Sequence, residues 1–437
     1  MKEKIVATAK GMQEQLVVWR RDFHKYPELG WREFRTASLV AKNLEEFGYK
    51  IIVGEDAMDG SMMLNLLGDE VLQPEMERAG TQGAFTQHFD KMKGGKTAVV
   101  GVLDTGKAGN VVAIRVDMDA LPIKESDGDG HFPQKHGFRS VNEGVMHACA
   151  HDGHTAIGLG IAKLLADIKD QLTGVVKVIF QPAEEGVQGG ATGIIKKGLV
   201  DDVTHMLGFH IGLKAKSGEV FCQTTDFLAA TKFNVDFTGK TAHAGANPED
   251  GKSALLAAAA ATMSLQGIYR HSGGSSRISV GVLQSGTSSN IVPDKAFMAL
   301  ETRGETGEIN AFMRGEVERI VGAAAQMYDV GHILEVTGEA TSAICDPYLV
   351  DLTKQTAHDL GIFDLVGDTI GLHASEDYSF FMEHVQARGG KATHLIMGAD
   401  LADNHHTKDF DFDEDCLWRA TALFTYMTAE ILTGSKI

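Results

Sequence analysis

Between Met146 and His154 the chain reads Met-His-Ala-Cys-Ala-His-Asp-Gly-His, which places His147, Cys149, His151, Asp152 and His154 in one short stretch ahead of an apolar run with helical spacing. A thiolate and an imidazole two residues apart can face one ion, and thiolate, imidazole and carboxylate are ordinary ligands of a borderline-soft divalent metal. One histidine alone would be read as a cap or packing residue; a cysteine, three histidines and an aspartate together point to a metal. A second element, Gln181-Pro-Ala-Glu-Glu-Gly186, closes the apolar run VVKVIF. Adjacent carboxylates repel, so a strand end facing a cleft keeps them together only where a cation or a proton relieves the repulsion. One could ligate metal while its neighbour moves a proton between water and a leaving group. His210 ends a further strand, THMLGFHIG, and His405-His406 follow a strand and Gly398; the pair are either site residues or plain surface histidines. Asp117 and Asp119 end another strand, whose alternation points both the same way. One of them can hold a ligand imidazole in the required tautomer.

The elements that must position these groups follow from periodicity. Residues 12–24 and 33–47 carry apolar positions at helical spacing, broken by Tyr26-Pro27-Glu28 and Gly30. TAVVGVLDTG and NVVAIRVDMDA read as a hairpin or as neighbouring strands. HTAIGLGIAKLLADI reads as an amphipathic helix between strands. Strand, helix, strand with polar residues at strand ends is the pattern of an open α/β sheet with its site at the carboxyl edge. After about Cys222 the texture changes: TKFNVDFTG, an alanine-rich helix over 254–268, the strands RISVGVLQSG and KAFMALETRG, and a helix over 307–328 fit a small β-α-β-β-α sandwich similar to a ferredoxin-like domain. From about 344 the α/β texture resumes, with helices at 347–360 and 414–432 and a strand at THLIMG. The expected division is 1–224 and 341–437 as one split α/β domain, with 225–340 inserted. A polar segment at about 55–95 interrupts the first part, and Pro74 with EMERAGTQGAFTQHF reads as a surface helix there.

Length and charge bound the function. A chain of 437 residues exceeds the size at which one core usually keeps growing. With 41 basic against 59 acidic residues the formal charge is −18, which disfavours nucleic acid and anionic membranes as partners. Apolar stretches fall short of the roughly 20 residues of a membrane span, and the first residues lack a signal-peptide pattern, so a cytoplasmic enzyme is expected. Four cysteines, widely spaced, do not form the pattern of a disulfide framework.

Taken in order, DMDALP, MHACAHDGHT, FQPAEEG, TAHAGANPEDG, SSNIVPD and SEDYSF, with WRRDFHKYPELGWREFRT before them and HHTKDFDFDE after, resemble the M20 family of metallopeptidases in its amidohydrolase branch. The resemblance covers almost the whole chain, and is best to the p-aminobenzoyl-glutamate hydrolases of that branch. It implies a zinc-peptidase-like catalytic domain with a central mixed sheet and an inserted α+β ferredoxin-like dimerisation domain. It implies two divalent ions per subunit, Mn2+ or Zn2+, with Cys149, His151, Glu185, His210 and His406 as ligands. Glu184 resembles the general base and acid, and Asp119 the residue that orients a ligand. Asp117 stands where the wider family has a metal-binding histidine. His243 resembles a histidine that reaches across a dimer to stabilise the oxyanion, while Asn290 and Arg303 resemble groups that hold substrate; from the residues alone Arg303 is equally a strand-end surface charge. Ala150 departs from the glycine usual in the branch, and is tolerable there if its φ is negative. The implied reaction is amide hydrolysis of an N-acyl amino acid, p-aminobenzoyl-glutamate first, by a homodimer or a hetero-oligomer with a related B-type subunit. An aminoacylase or dipeptidase of other range, and a noncatalytic or partner-dependent subunit, are the alternatives.

Overall fold

The computed structural model describes residues 1–434. It divides into two compact units, the larger made of Met1–Thr225, Ala343–Leu372 and the chain from Asp377 onward, the smaller of Asp226–Ser342 and His373–Glu376. In chain order the strands are β1 (Lys50–Val53), β2 (Val99–Asp104), β3 (Val111–Asp117), β4 (Val175–Gln181), β5 (His205–Ile211), β6 (Glu219–Thr225), β7 (Ala229–Thr238), β8 (Ser276–Ser285), β9 (Lys295–Gly304), β10 (Gly331–Ala340), β11 (Leu365–Gly371) and β12 (Lys391–Met397).

The larger unit is an α/β fold on one mixed sheet of order β1-β2-β4-β3-β5-β12-β6-β11. β4, β3, β5 and β12 run parallel at its centre, with β2 antiparallel to β4 and β6 antiparallel to β12. β2 and β3 are therefore neither a hairpin nor neighbours, contrary to the sequence expectation. β4 lies between them because its Val176, Val178, Ile179 and Phe180 are all buried, the demand of a central strand covered on both faces. Since the four parallel strands end on one side, the segments after Asp117, Gln181, Ile211 and Met397 leave from a single carboxyl edge.

The helix His151–Asp167 starts at that edge and packs on β3 and on the helices Gln13–Lys25 and Cys416–Thr433. Sequence spacing made it amphipathic, but 14 of its 17 residues are buried. Its glycines permit this: a Cβ at Gly158 would come 2.8 Å from Val116 Cγ2, and one at Gly160 would come 2.7 Å from Leu16 Cδ2. A helix surrounded on all sides holds its first turn, and the residues just before it, in a fixed place.

The segment after β1 forms short 3-10 turns around the helix Asp69–Thr81. That helix begins before Pro74 rather than at it and stops short of Phe85, because Gly83 takes φ +91°. It is tied down by buried Leu72 and Ala79. The smaller unit is a β-α-β-β-α-β fold, its four strands all antiparallel in the order β10-β7-β9-β8. Helices Ala254–Gln266 and Gly307–Met327 cover one face, where Phe233, Val235, Phe237, Met298 and Leu300 meet Ala257, Ala258, Ala261, Val317 and Val321. β10 completes the ferredoxin-like order that the sequence pattern left one strand short. Among the described residues no helix is long and apolar enough to cross a membrane, and all four cysteines are free.

Candidate metal centre

At the carboxyl edge of the larger unit Cys149 sits between two sets of donors. His151 and His210 join it on one side, and Glu185 and His406 on the other. Its Sγ lies 3.4 Å from His210 Nε2 and 3.4 Å from His406 Nε2, and His406 Nε2 lies 3.5 Å from Glu185 Oε1. The five side chains come from four separate segments. His406 reaches the cluster with φ +63°, its N–H donating to the Ala148 carbonyl at 2.8 Å. His405 turns the other way, its Nε2 on the Ile211 carbonyl at 3.1 Å.

The imidazoles are oriented as ligands are. His151 donates Nδ1–H to the Asp119 carbonyl at 2.8 Å, and His210 donates Nδ1–H to the Ile211 carbonyl at 2.8 Å. Each bond leaves Nε2 as the ring nitrogen that faces the cluster. His151 Nε2 and Glu185 Oε1 are buried and have no hydrogen-bond partner, an arrangement that a cation satisfies and an empty apolar site does not. Burial, with His154 and His405 nearby, holds His210 well below the usual imidazole range and so neutral. Burial and the Glu185 carboxylate push the Cys149 thiol well up; only an adjacent cation makes a thiolate stable there. Burial would also raise Glu185, but His406 and His151 hold its carboxyl below the ordinary value. The thiol, three imidazoles and carboxylate are thus a donor set that fits divalent metal.

Asp119 is engaged through its side chain as well as through its carbonyl. Its two carboxylate oxygens accept the N–H groups of Glu184 at 3.0 Å and Glu185 at 2.8 Å. Glu184 Oε2 ends 3.9 Å from His151 Nε2. Asp117 holds His154 instead: its Oδ1 accepts His154 Nδ1–H at 2.7 Å, Arg115 Nη1 donates to Oδ2 at 2.6 Å, and His154 Nε2 accepts Ile211 N–H at 3.1 Å. Both His154 nitrogens are therefore engaged. His147 is buried and belongs to neither donor set, with burial lowering its pKa to about 3.

Ala150 has φ +67°, so the condition under which its methyl group is tolerated without strain is not met. The φ of Ala183, just before Glu184, is +54°. Behind the cluster lies a charge network with no local sequence signal. Arg20 Nε donates to Asp152 Oδ2 at 2.8 Å and Arg20 Nη2 to Asp411 Oδ1 at 2.5 Å, tying the His151 helix to the segment after His406. His24 joins Asp152 at 2.8 Å and Glu125 at 3.0 Å. Arg20 and His24 lie in the run WRRDFHKYPELG, Asp152 beside His151 and Asp411 after His406, but nothing in their spacing pairs them.

The remaining expected residues belong to the smaller unit. His243 is exposed, and its Nδ1 accepts the N–H groups of Gly245 and Ala246, both at 3.1 Å, which leaves the proton on Nε2. Asn290 is fastened to the same loop, its carbonyl accepting Ala244 N–H at 3.0 Å. Arg303 pairs with Glu301 at 2.9 Å on its own strand.

A family model described as Peptidase family M20/M25/M40 matches residues 113–430. The chain is similar to the A-type subunit of the p-aminobenzoyl-glutamate hydrolase of Escherichia coli (strain K12), 44% identical over 416 residues that cover 95% of each. It is equally similar to the indole-3-acetyl-aspartic acid hydrolase of Enterobacter agglomerans, 44% identical over 404 residues covering 92% of each. Among solved structures it resembles an aminobenzoyl-glutamate utilization protein from Klebsiella pneumoniae, with a TM-score of 0.83 and 39% identity over 98% of this chain and 97% of that one.

Proposed function

The chain belongs to peptidase family M20/M25/M40, and from that membership we propose that it hydrolyses the amide bond of an N-acyl amino acid, p-aminobenzoyl-glutamate to p-aminobenzoate and glutamate. The observation that carries the reading is the convergence of Cys149, His151, His210, Glu185 and His406, two of whose buried donor atoms are unpartnered. These five residues would hold two divalent ions. Bound there, the ions supply Lewis acidity, which polarises a carbonyl and acidifies water. The thiol favours Zn2+, while the carboxylate and imidazoles also accept Mn2+.

Glu184 is the proton carrier, set beside Glu185 but outside both Cys149-centred donor sets. Its carboxylate takes the proton of the attacking water and delivers it to the departing nitrogen. The Asp119 carboxylate fixes the backbone of both glutamates, and its carbonyl sets the tautomer of His151. His243, whose Nε2–H is free to donate, balances the developing oxyanion of a neighbouring subunit. Asn290 and Arg303 hold the amino-acid part, the planar guanidinium suiting a carboxylate. The smaller unit is the dimerisation domain, and a related B-type chain is the candidate hetero-oligomeric partner. The compartment proposed is the cytoplasm.

The equal identity to an indole-acetyl-aspartate hydrolase supports a second reading, in which the acyl group is indole-acetyl and the amino acid aspartate. Initial rates on p-aminobenzoyl-glutamate, indole-acetyl-aspartate, benzoyl-glycine and acetyl-amino acids separate the two. For the mechanism, Glu184→Gln is expected to keep its metal by elemental analysis and to lose at least about 100-fold in kcat. A Glu184→Gln enzyme turning over normally would remove the assignment.

A further inference from the structure

The segment Glu28–Glu33 has no part in the cluster, yet it is fastened to both halves of it. The Glu28 carbonyl accepts Ala120 N–H at 2.8 Å, one residue beyond Asp119, and Leu29 bridges Ala120. Gly30 lies so close to the PAEE turn that a Cβ on it would stand 3.1 Å from Ala183 Cβ and 3.2 Å from Ala183 Cα. Glu33 is fully buried; its Oε1 accepts Ala183 N–H at 2.8 Å and its Oε2 accepts the Thr97 hydroxyl at 2.6 Å.

Three successive N–H groups, those of Ala183, Glu184 and Glu185, therefore end on carboxylates, the first on Glu33 and the next two on Asp119. Asp119 alone is a pivot, gripping the turn only from Glu184 onward. Rotation about that pivot is opposed at Ala183, which carries the left-handed φ, by Glu33 on its N–H and by Gln188 N–H on its carbonyl at 3.3 Å. We propose that Glu33 is a positioning residue for Glu184: by accepting the Ala183 N–H it holds the left-handed turn from which the Glu184 side chain departs, and so sets where that carboxylate can take up a proton. This rests on the reading of Glu184 as the proton carrier.

The role asks for an acceptor at the right reach rather than for a charge. Glu33→Gln keeps an acceptor for Ala183 and presents its NH2 to Thr97, whose hydroxyl turns from donor to acceptor, and is expected to stay within about 3-fold of wild-type kcat. Glu33→Asp keeps the charge but is one methylene short. It is expected to lose about 100-fold in kcat, the cost of a small misplacement at a reacting centre, with KM and metal per chain unchanged. Glu33→Ala should behave like Glu33→Asp; if the alanine variant does not fold, by tryptophan fluorescence, the aspartate variant carries the test. The proposal is overturned if Glu33→Asp turns over as wild type, if Glu33→Gln loses as much as Glu33→Asp, or if excess metal restores Glu33→Asp. Glu184→Gln measured in parallel separates the two ideas. An active Glu184→Gln removes the premise, whereas an inactive one beside a normal Glu33→Asp removes only the positioning role.

Discussion

Raising the pH from 6 to 9.5 interrogates His24, a fully buried charge. Its Nδ1–H and Nε2–H donate to Asp152 and Glu125, so the ring is an imidazolium. Glu125 also takes His131 Nε2 at 2.8 Å, Arg20 shares Asp152, and the Phe138 ring lies edge-on at 5.4 Å. Burial opposes the charge, but the bonds to Asp152 and Glu125 outweigh it and raise His24 from 6.5 to about 9. A folded-state value above the unfolded one means stability that is fully present below pH 6.5 and is lost as pH climbs through 9. The rise corresponds to about 3 kcal/mol. Urea unfolding of the metal-loaded protein, followed by Trp19, Trp31 and Trp418, reports on the larger unit, which holds all three tryptophans. His24→Gln removes the titration. Groups common to both proteins cancel in the difference between them, which is expected to shrink by about 3 kcal/mol between pH 6 and 9.5. A difference that stays constant over that range would refute the imidazolium.

Arg20 and Arg21 provide a contrast within one helix. Arg20→Met leaves Asp411 without its buried cation and Asp152 with His24 alone, and is expected to cost about 3–5 kcal/mol; Arg21→Met, at a side chain 30% exposed, should cost under about 1 kcal/mol. Equal losses in urea titrations would show that the buried pairs contribute nothing special. Ala150→Gly removes a left-handed strain of about 1–2 kcal/mol at the loss of one buried methyl group, about 0.8 kcal/mol. It should leave stability unchanged or up to about 1 kcal/mol higher, and a loss above about 1 kcal/mol would show that methyl packing dominates.

The local part of the site was legible because its residues are neighbours in sequence. The run from His147 to His154 and the pair Glu184-Glu185 announce a metal and a proton carrier through spacing and through charge repulsion at a strand end. Which histidines serve is decided elsewhere. His154 is excluded because Ile211 N–H already occupies its Nε2, a contact with no periodic signature. His210 and His406 join Cys149 from far along the chain; their places at strand ends made them candidates, but the choice of His406 over His405 came only from the order of motifs. β4 was recognisable as a buried strand, but its insertion between β2 and β3 follows from a sheet order that periodicity does not encode. β6 alternates with period two and reads as a change of texture rather than as a strand. β11, LVGDTIG, is a largely exposed edge strand carrying two glycines and an aspartate, residues depleted in strands.

Three left-handed non-glycine residues stand at the centre: Ala150 between Cys149 and His151, Ala183 before Glu184, and His406 itself. None of these conformations is favoured locally, so each has to be held by something else. Ala183 is held by Glu33, His406 by the Ala148 carbonyl, and the Ala150 carbonyl by His154 N–H at 2.9 Å. The supports are in turn carried by long-range polar contacts, Arg20 between Asp152 and Asp411 and Asp119 beneath the two glutamates. Strain of this kind persists only where the surroundings over-determine it. Relaxing it therefore need not help the enzyme. In Ala150→Gly the Cys149–His151 step gains backbone freedom while the other proposed ligands stay fixed, so stability and metal affinity are expected to separate there: the variant holds or gains in urea while its metal dissociates faster on chelator challenge.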